Sequence, residues 1–222
     1  MKLSIVVPVL NEAAVVGATL QSLAPLRAGG HEVIVVDGGS EDATREIAAP
    51  LADRVLAAPR GRAKQMNAGA AAATGEALVF LHADTRLPGR ADELIEEALQ
   101  SHAWGRFDVR IEGTQPLLSV VACAMNLRSR LTGIATGDQA LFVRRASFEG
   151  FPEIALMEDI AFCKAMKRRG RPACLRARAA TSGRRWERHG LLRTILLMWR
   201  LRLAYFLGAE PDALARRYAG KS

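Results

Sequence analysis

Leu3-Ser4-Ile5-Val6-Val7-Pro8-Val9-Leu10-Asn11-Glu12 is a mostly apolar run that stops at a polar pair. A helix-like stretch, Ala13 to Ala24, follows it. The same grammar recurs twice. Glu32 to Val36 runs into Asp37-Gly38-Gly39-Ser40, and Glu76 to Leu81 runs into His82-Ala83-Asp84. Short continuous apolar strands alternating with helices predict βαβ units and a parallel sheet covered on both faces. In such sheets ligands sit outside the carboxyl ends of the strands. Asn11, Glu12, Asp37 and Asp84 are therefore expected at one edge. Carboxylates gathered there suit a divalent cation, which takes oxygen ligands.

The remaining chain extends this frame. Asp53 to Ala57 predicts a short strand, and Ala63 to Ala73 an alanine-rich helix. Ser40 is expected to cap a helix with Glu41 and Asp42 in its first turn, where acids favour the dipole. Asp92 to Ser101 predicts a helix, and Trp104 to Ile111 a half-exposed strand. Pro116 opens a helix to about Leu131, and Thr132 to Gln139 is a loop. Ala140 to Val143 predicts a short strand, Met157 to Arg169 a helix, and Leu175 to Thr181 a strand. Helices are expected over Leu191 to Leu207 and Pro211 to Tyr218. The expected organisation is one α/β domain, residues 1–185, with a basic amphipathic helical appendage, residues 186–222.

Of 222 residues, half are hydrophobic and 24% charged, which suits a globular chain with a large core. Aromatic residues make up only 5%, which argues against a base-stacking surface for nucleic acid. Cys123, Cys163 and Cys174 lack paired zinc-ligand spacing and read as reduced core thiols of a cytoplasmic protein. The N-terminal apolar run is short, contains Pro8 and ends at Asn11-Glu12, so it reads as a strand rather than a signal peptide. The net charge of +8 is uneven, with +12 over residues 167–222 and −4 over residues 1–166. That asymmetry suits an anionic partner, or else a solvated arginine-rich surface.

Several local patterns bear on chemistry. Arg60-Gly61-Arg62-Ala63-Lys64 precedes a helix, where basic side chains and helix N–H groups suit an anion. The alternative is a solvated basic loop. No Walker P-loop or G-x-G-x-x-G occurs. Glu158-Asp159 opens a helix, where acids either favour the dipole or supply a general base. Leu191 to Leu207 is interrupted by Arg193, Arg200 and Arg202, too short and too charged for a membrane span. With Trp199, Tyr205 and Phe206 it suits an interfacial helix, a packed helix or a homodimer contact.

The order of the pieces carries more than any one of them. Ser4 to Glu12, Val35-Val36-Asp37-Gly38-Gly39-Ser40, Gln65-Met66-Asn67-Ala68-Gly69 and Phe80-Leu81-His82-Ala83-Asp84 resemble family 2 nucleotide-sugar glycosyltransferases. Gly137-Asp138-Gln139-Ala140-Leu141-Phe142-Val143-Arg144-Arg145 and Met157-Glu158-Asp159 continue the resemblance to about residue 170. Thr181-Ser182-Gly183-Arg184-Arg185-Trp186 looks like a shortened form of the Arg-Trp motif of processive members. The whole chain looks most like a small bacterial subgroup linked with arsenosugar or selenium gene clusters.

The resemblance implies a Rossmann-like nucleotide-diphosphosugar transferase fold and inverting transfer from a UDP- or GDP-sugar to an acceptor hydroxyl. It implies that Pro8, Asn11, Glu12 and Asp37 bind the nucleotide; Gly61, Arg62 and Lys64 of the basic segment, with Asn67, are expected to join them. Asp84 is expected to hold Mg²⁺ or Mn²⁺. His82 stands where the family usually has Asp and is the second candidate ligand. Asp159 is the expected catalytic base. Asp138, Glu158, Arg184, Arg185 and Trp186 are expected near the acceptor or the diphosphate. Rival readings are a sugar nucleotidyltransferase, whose glycine-rich basic loop is missing, and a basic module that binds membrane or nucleic acid. Residues 191–207 make the inner face of a membrane the candidate docking surface.

Overall fold

A computed structural model describes residues 1–219, with the side chains of Arg185, His189 and Ala219 outside the described set. The chain begins β1 (Leu3–Val9), α1 (Ala13–Ser22), α2 (Ala24–Ala28), β2 (Glu32–Asp37), α3 (Thr44–Ala48) and β3 (Arg54–Ala57). It continues α4 (Arg62–Ala72), β4 (Ala77–Phe80), β5 (Thr85–Arg86), α5 (Ala91–Ser101), β6 (Trp104–Glu112) and α6 (Leu118–Thr132). It ends β7 (Leu141–Arg144), α7 (Glu158–Met166), β8 (Ala173–Ser182), α8 (Arg184–His189), α9 (Leu191–Phe206) and α10 (Pro211–Ala219).

The strands form one sheet in the order β3-β2-β1-β4-β7-β6-β8-β5. β1 pairs in parallel with β2 and β4, β2 with β3, and β6 with β8. β7 runs antiparallel between β4 and β6, and β5 antiparallel to β8. The sheet is thus mostly parallel, as the apolar runs predict. Every residue of β2 is buried, and all of β1 but Pro8. One apolar layer joins β1, β2 and β4 to α1 and α5, and the other joins them to α4 and α7. α4 approaches closely because Gly69 lacks a side chain: a Cβ there would lie 2.4 Å from a methyl of Val6.

Some expectations shift. The first helix ends at Ser22 rather than Ala24, and a short second helix, α2, follows with Pro25 in its first turn, where proline is accepted. Ser40 does not cap a helix. α3 starts at Thr44, and Ser40 binds Asp37 and the Asn11 backbone instead. Only Cys163 is a buried thiol; Cys123 is exposed and Cys174 half-buried. Burial pushes the Cys163 thiol up to about 12.

α9 packs through Leu197, Met198, Leu201 and Tyr205 against Met157 and Ile160 beside the start of α7. No described helix is long and apolar enough to cross a membrane.

Candidate active site

The loops after β1 and β2 are stitched together at the carboxyl edge of the sheet. Asn11, held at φ 54°, donates its backbone N–H to Ser40 Oγ at 2.9 Å. Its Oδ1 accepts the Glu41 N–H at 2.8 Å. The buried Asp37 carboxylate accepts the N–H groups of Gly39 and Ser40 and the Ser40 hydroxyl. The Glu12 N–H donates to Thr44 Oγ1 at 2.8 Å. Beneath them, Gln65 Nε2 donates to the carbonyls of Val9 and Val36, both at 2.8 Å. Gln65 thus bridges two strand ends, joining the Gly38 N–H that also reaches the Val9 carbonyl at 3.0 Å. Sequence reasoning missed this role, although an amide amid the small residues of α4 was its signal.

Asp84 and Glu12 share one cation. Arg184 Nη2 lies 3.2 Å from Glu12 Oε2 and 3.4 Å from Asp84 Oδ2. The guanidinium is a stand-in for positive charge between two carboxylates far apart in sequence. His82 is not with them. β4 ends at Phe80, and the turn after it carries His82 toward Asp138, with Nδ1 3.2 Å from Oδ1. Among the described residues no three His, Cys, Asp or Glu side chains converge as a metal centre. The two carboxylates suit a cation whose other ligands are phosphate oxygens, the usual way Mg²⁺ is held.

A second group surrounds Asp159. Arg62, Phe80, His82, Gly137, Glu158 and Asp159 line one small cavity. Ile160 N–H donates to Asp159 Oδ1 at 2.7 Å, and Gly137 N–H to Oδ2 at 3.3 Å. Burial, then the neighbouring Glu158 charge, pushes Asp159 up to about 6, against the pull of Arg62. Glu158 is itself buried and pairs with Arg62 Nη1 at 3.2 Å. Gly137 must be glycine: a Cβ would sit 2.1 Å from His82 Nε2. Asp159 is thus a half-buried carboxylate raised toward neutrality, a property suited to moving protons near physiological pH.

Other expected residues lie elsewhere. Asn67 spends its amide on the Phe151 backbone, at 2.7 and 2.9 Å, and fastens α4 to the loop before α7. Lys64 is exposed, and Gly61 precedes α4 at φ 139°. Pro8 lies inside β1, opposite Val36. Trp186 packs against Val109, Ile111 and Leu118. The Arg185 side chain lies outside the described residues.

Comparisons with known proteins give the architecture a lineage. A PGL/p-HBAD biosynthesis glycosyltransferase of Mycobacterium bovis is 44% identical over 91 residues, which are 38% of this chain and 36% of that protein. An uncharacterised glycosyltransferase of Nostoc is 32% identical over 91 residues, 38% of this chain and 28% of that one. The chain thus spans about a third of the length of these curated relatives. Staphylococcus aureus TarS 1–349, solved with UDP-GlcNAc, superposes with a TM-score of 0.65 at 22% identity, over 82% of this chain and 58% of that one. Mycobacterium tuberculosis glucosyl-3-phosphoglycerate synthase, solved with Mn²⁺, UDP and glucosyl-3-phosphoglycerate, gives 0.66 at 20% identity, over 93% and 78%. Those two likenesses establish the fold. The family model for glycosyl transferase family 2 matches residues 4–147, and the chain belongs to that family.

Proposed function

We propose that the protein is an inverting glycosyltransferase that moves a sugar from a UDP-sugar to an acceptor hydroxyl. The observation that carries this is the pairing of two sites at one sheet edge: a carboxylate pair around a cationic guanidinium, and a half-buried, proton-ready Asp159. UDP as the donor nucleotide is supported by the TarS and glucosyl-3-phosphoglycerate synthase structures, both solved with UDP or its sugar. The nucleoside is taken up by the loops built on Pro8, Asn11, Glu12 and Asp37. Asp159 accepts the proton of the acceptor hydroxyl. The acceptor oxygen bonds to the anomeric carbon as the bond to the diphosphate oxygen breaks on the opposite face, which inverts that carbon. Asp84, with Glu12, would hold Mg²⁺ or Mn²⁺, which neutralises charge on the departing diphosphate. Arg184 would cede its place between them.

Asp84→Ala tests this directly. UDP affinity in Mn²⁺ is expected to fall about 10- to 100-fold, the range typical of a lost metal-site group. UDP affinity without metal should be unchanged. Wild-type affinity in Mn²⁺, measured by calorimetry, would remove Asp84 from the site.

The location of the enzyme is a separate proposal. Leu192, Leu196, Trp199, Leu203 and Phe206 recur at helical spacing along α9 and are 60–74% exposed. Arg193 and Arg200 lie among them, in the segment that carries the basic excess. An apolar stripe with arginines at its margin fits an anionic bilayer. We expect the chain to sediment with vesicles containing phosphatidylglycerol and not with phosphatidylcholine alone, and Leu196→Glu with Trp199→Glu to abolish it. A homodimer in solution that the same pair dissociates would instead make the stripe a contact between copies. The curated relatives named above carry no arsenosugar or selenium designation, so that finer resemblance assigns neither donor nor acceptor.

A further inference from the structure

The sheet itself delivers Arg184 to Asp84. β5 pairs with β8 in the register Thr85↔Thr181, and the two threonine hydroxyls meet at 3.0 Å. The Ser182 N–H, at the end of β8, donates to the Asp84 carbonyl at 3.1 Å. Gly183 then presses against β6: its N–H donates to the Glu112 carbonyl at 2.6 Å, and a Cβ there would lie 2.4 Å from that oxygen. The Arg184 N–H donates to Ser182 Oγ at 3.2 Å. The start of α8 is therefore fixed beside Asp84. Glu12 is fixed from the other side, through its own N–H and the Thr44 hydroxyl.

One nitrogen serves both carboxylates. Arg184 Nη2 lies 3.2 Å from Glu12 Oε2 and 3.4 Å from Asp84 Oδ2. Burial pulls against the guanidinium's charge, yet Glu12 and then Asp84 hold it above arginine's ordinary range. An arginine does not shed its proton in a protein, so this positive charge leaves only if the side chain moves. Arg184, Glu12 and Asp84 are 47%, 32% and 27% exposed, so the guanidinium has water to swing into. A divalent cation and Nη2 cannot both lie between the same two oxygens. With the arginine in place, two carboxylates present a single net negative charge. A nucleoside diphosphate shifts that balance, because its oxygens ligate the cation and also attract the displaced guanidinium.

We propose that Arg184 is a built-in competitor for the cation position, so that Mg²⁺ or Mn²⁺ binds tightly only together with the nucleoside diphosphate. The inference rests on the metal-assisted transfer reading above. It makes metal and nucleotide binding reciprocal: each strengthens the other by the same factor.

Calorimetry of Mn²⁺ binding to the full chain, without nucleotide and with saturating UDP, tests it. Wild type is expected to bind Mn²⁺ weakly alone and about 5- to 150-fold more tightly with UDP, the usual span of coupling between two ligands. Arg184→Gln should tighten Mn²⁺ binding without UDP by about 10-fold, within that span, and shrink the gain from UDP. Arg184→Lys keeps a positive charge beside the pair and should stay near wild type. A tightening cannot come from a damaged fold, so the direction of the change is diagnostic. Unchanged or weaker Mn²⁺ binding by Arg184→Gln overturns the proposal. So does a wild-type Mn²⁺ affinity that UDP leaves unaltered. If Asp84→Ala abolishes Mn²⁺ binding while Arg184→Gln leaves it unchanged, the metal site stands and the competitor falls. Mn²⁺ binding that Arg184→Gln tightens and Asp84→Ala abolishes, with no binding of UDP by any form, would keep the competition and sink the transfer reading.

Discussion

Asp159→Asn is expected to lower kcat by about 10²- to 10⁴-fold, the range for loss of a general base. UDP affinity should stay at its wild-type value, because the carboxylate lies in the cavity lined by Arg62, His82 and Gly137 and not with the Glu12–Asp84 pair. Asp159 is a better base than its neighbour because Glu158 is neutralised by Arg62, whereas Asp159 Oδ2 accepts only a 3.3 Å bond from Gly137. Its raised value near 6 sets the pH dependence. kcat/KM should fall tenfold per pH unit below about 6, where the base is protonated.

The same shift has a stability consequence of opposite sense. The folded-state value lies above the ordinary 3.8, so protonation favours the fold. That stabilisation is fully present below about 4 and is lost as pH rises through about 6. At pH 8 the ionised group is therefore destabilising relative to an unburied aspartate. Asp159→Asn removes the charge, so its Tm should exceed wild type at pH 8 by several degrees and by little at pH 4. A pH series of melting curves beside steady-state rates separates the two roles. Unchanged turnover removes Asp159 as the base, and a lower Tm at pH 8 removes the account of its burial.

Strand ends were legible in the sequence because apolar runs covered on both faces stop where the chain meets solvent. Asp37 closes β2, and Glu12 and Asp84 lie just beyond β1 and β4. What the periodicity could not give was direction beyond those ends. His82 and Asp84 share a side only if the strand continues through them; β4 stops at Phe80, and the turn parts them. Ser40 looked like a helix cap because its short hydroxyl suits any turn, and Asp37 claimed it first. Asn67 and Gln65 sit in one helical run, yet their targets, Phe151 and the carbonyls of Val9 and Val36, are set by the sheet rather than by neighbours in sequence. Arg128 was invisible for a further reason. Helical spacing in α6 shows which residues share a face, but only packing decides which atoms turn inward, and here the Nε and Nη2 of Arg128 join the buried Leu118, Ala122 and Ser129.

Asp108→Ala is expected to be the most damaging single change to stability. β6 departs from regular register with β8 between Phe107 and Asp108. Arg106 is 0% exposed, and its guanidinium pairs with Asp108 and donates to the Asn126 carbonyl at 3.3 Å. Asp108 also accepts from Arg130 of α6 at 2.6 Å. Without the carboxylate, Arg106 is a buried charge with one carbonyl for company. Breaking such a pair costs about 3–5 kcal/mol. At about 2–4 °C per kcal/mol for a chain of this size, Tm should drop by about 10 °C. Asp108→Leu combined with Arg106→Met should recover much of that loss, since no lone charge is then left inside. The effect should reach the site as well. Asn126 Nδ2 and Oδ1 bind the Val109 backbone, and Gln139 Nε2 donates to Ser129, so α6 fastens both β6 and the loop whose Gly137 N–H meets Asp159. Asp108→Asn, which keeps an acceptor but not the charge, should therefore lower kcat at temperatures where it is still folded. UDP affinity should be unaffected, because Asn11, Glu12 and Asp37 are tied to β1 and β2 instead. A Tm within a degree of wild type for Asp108→Ala would show that Arg106 finds another acceptor, and that the bridge between β6 and α6 does not hold the loop that carries Gly137.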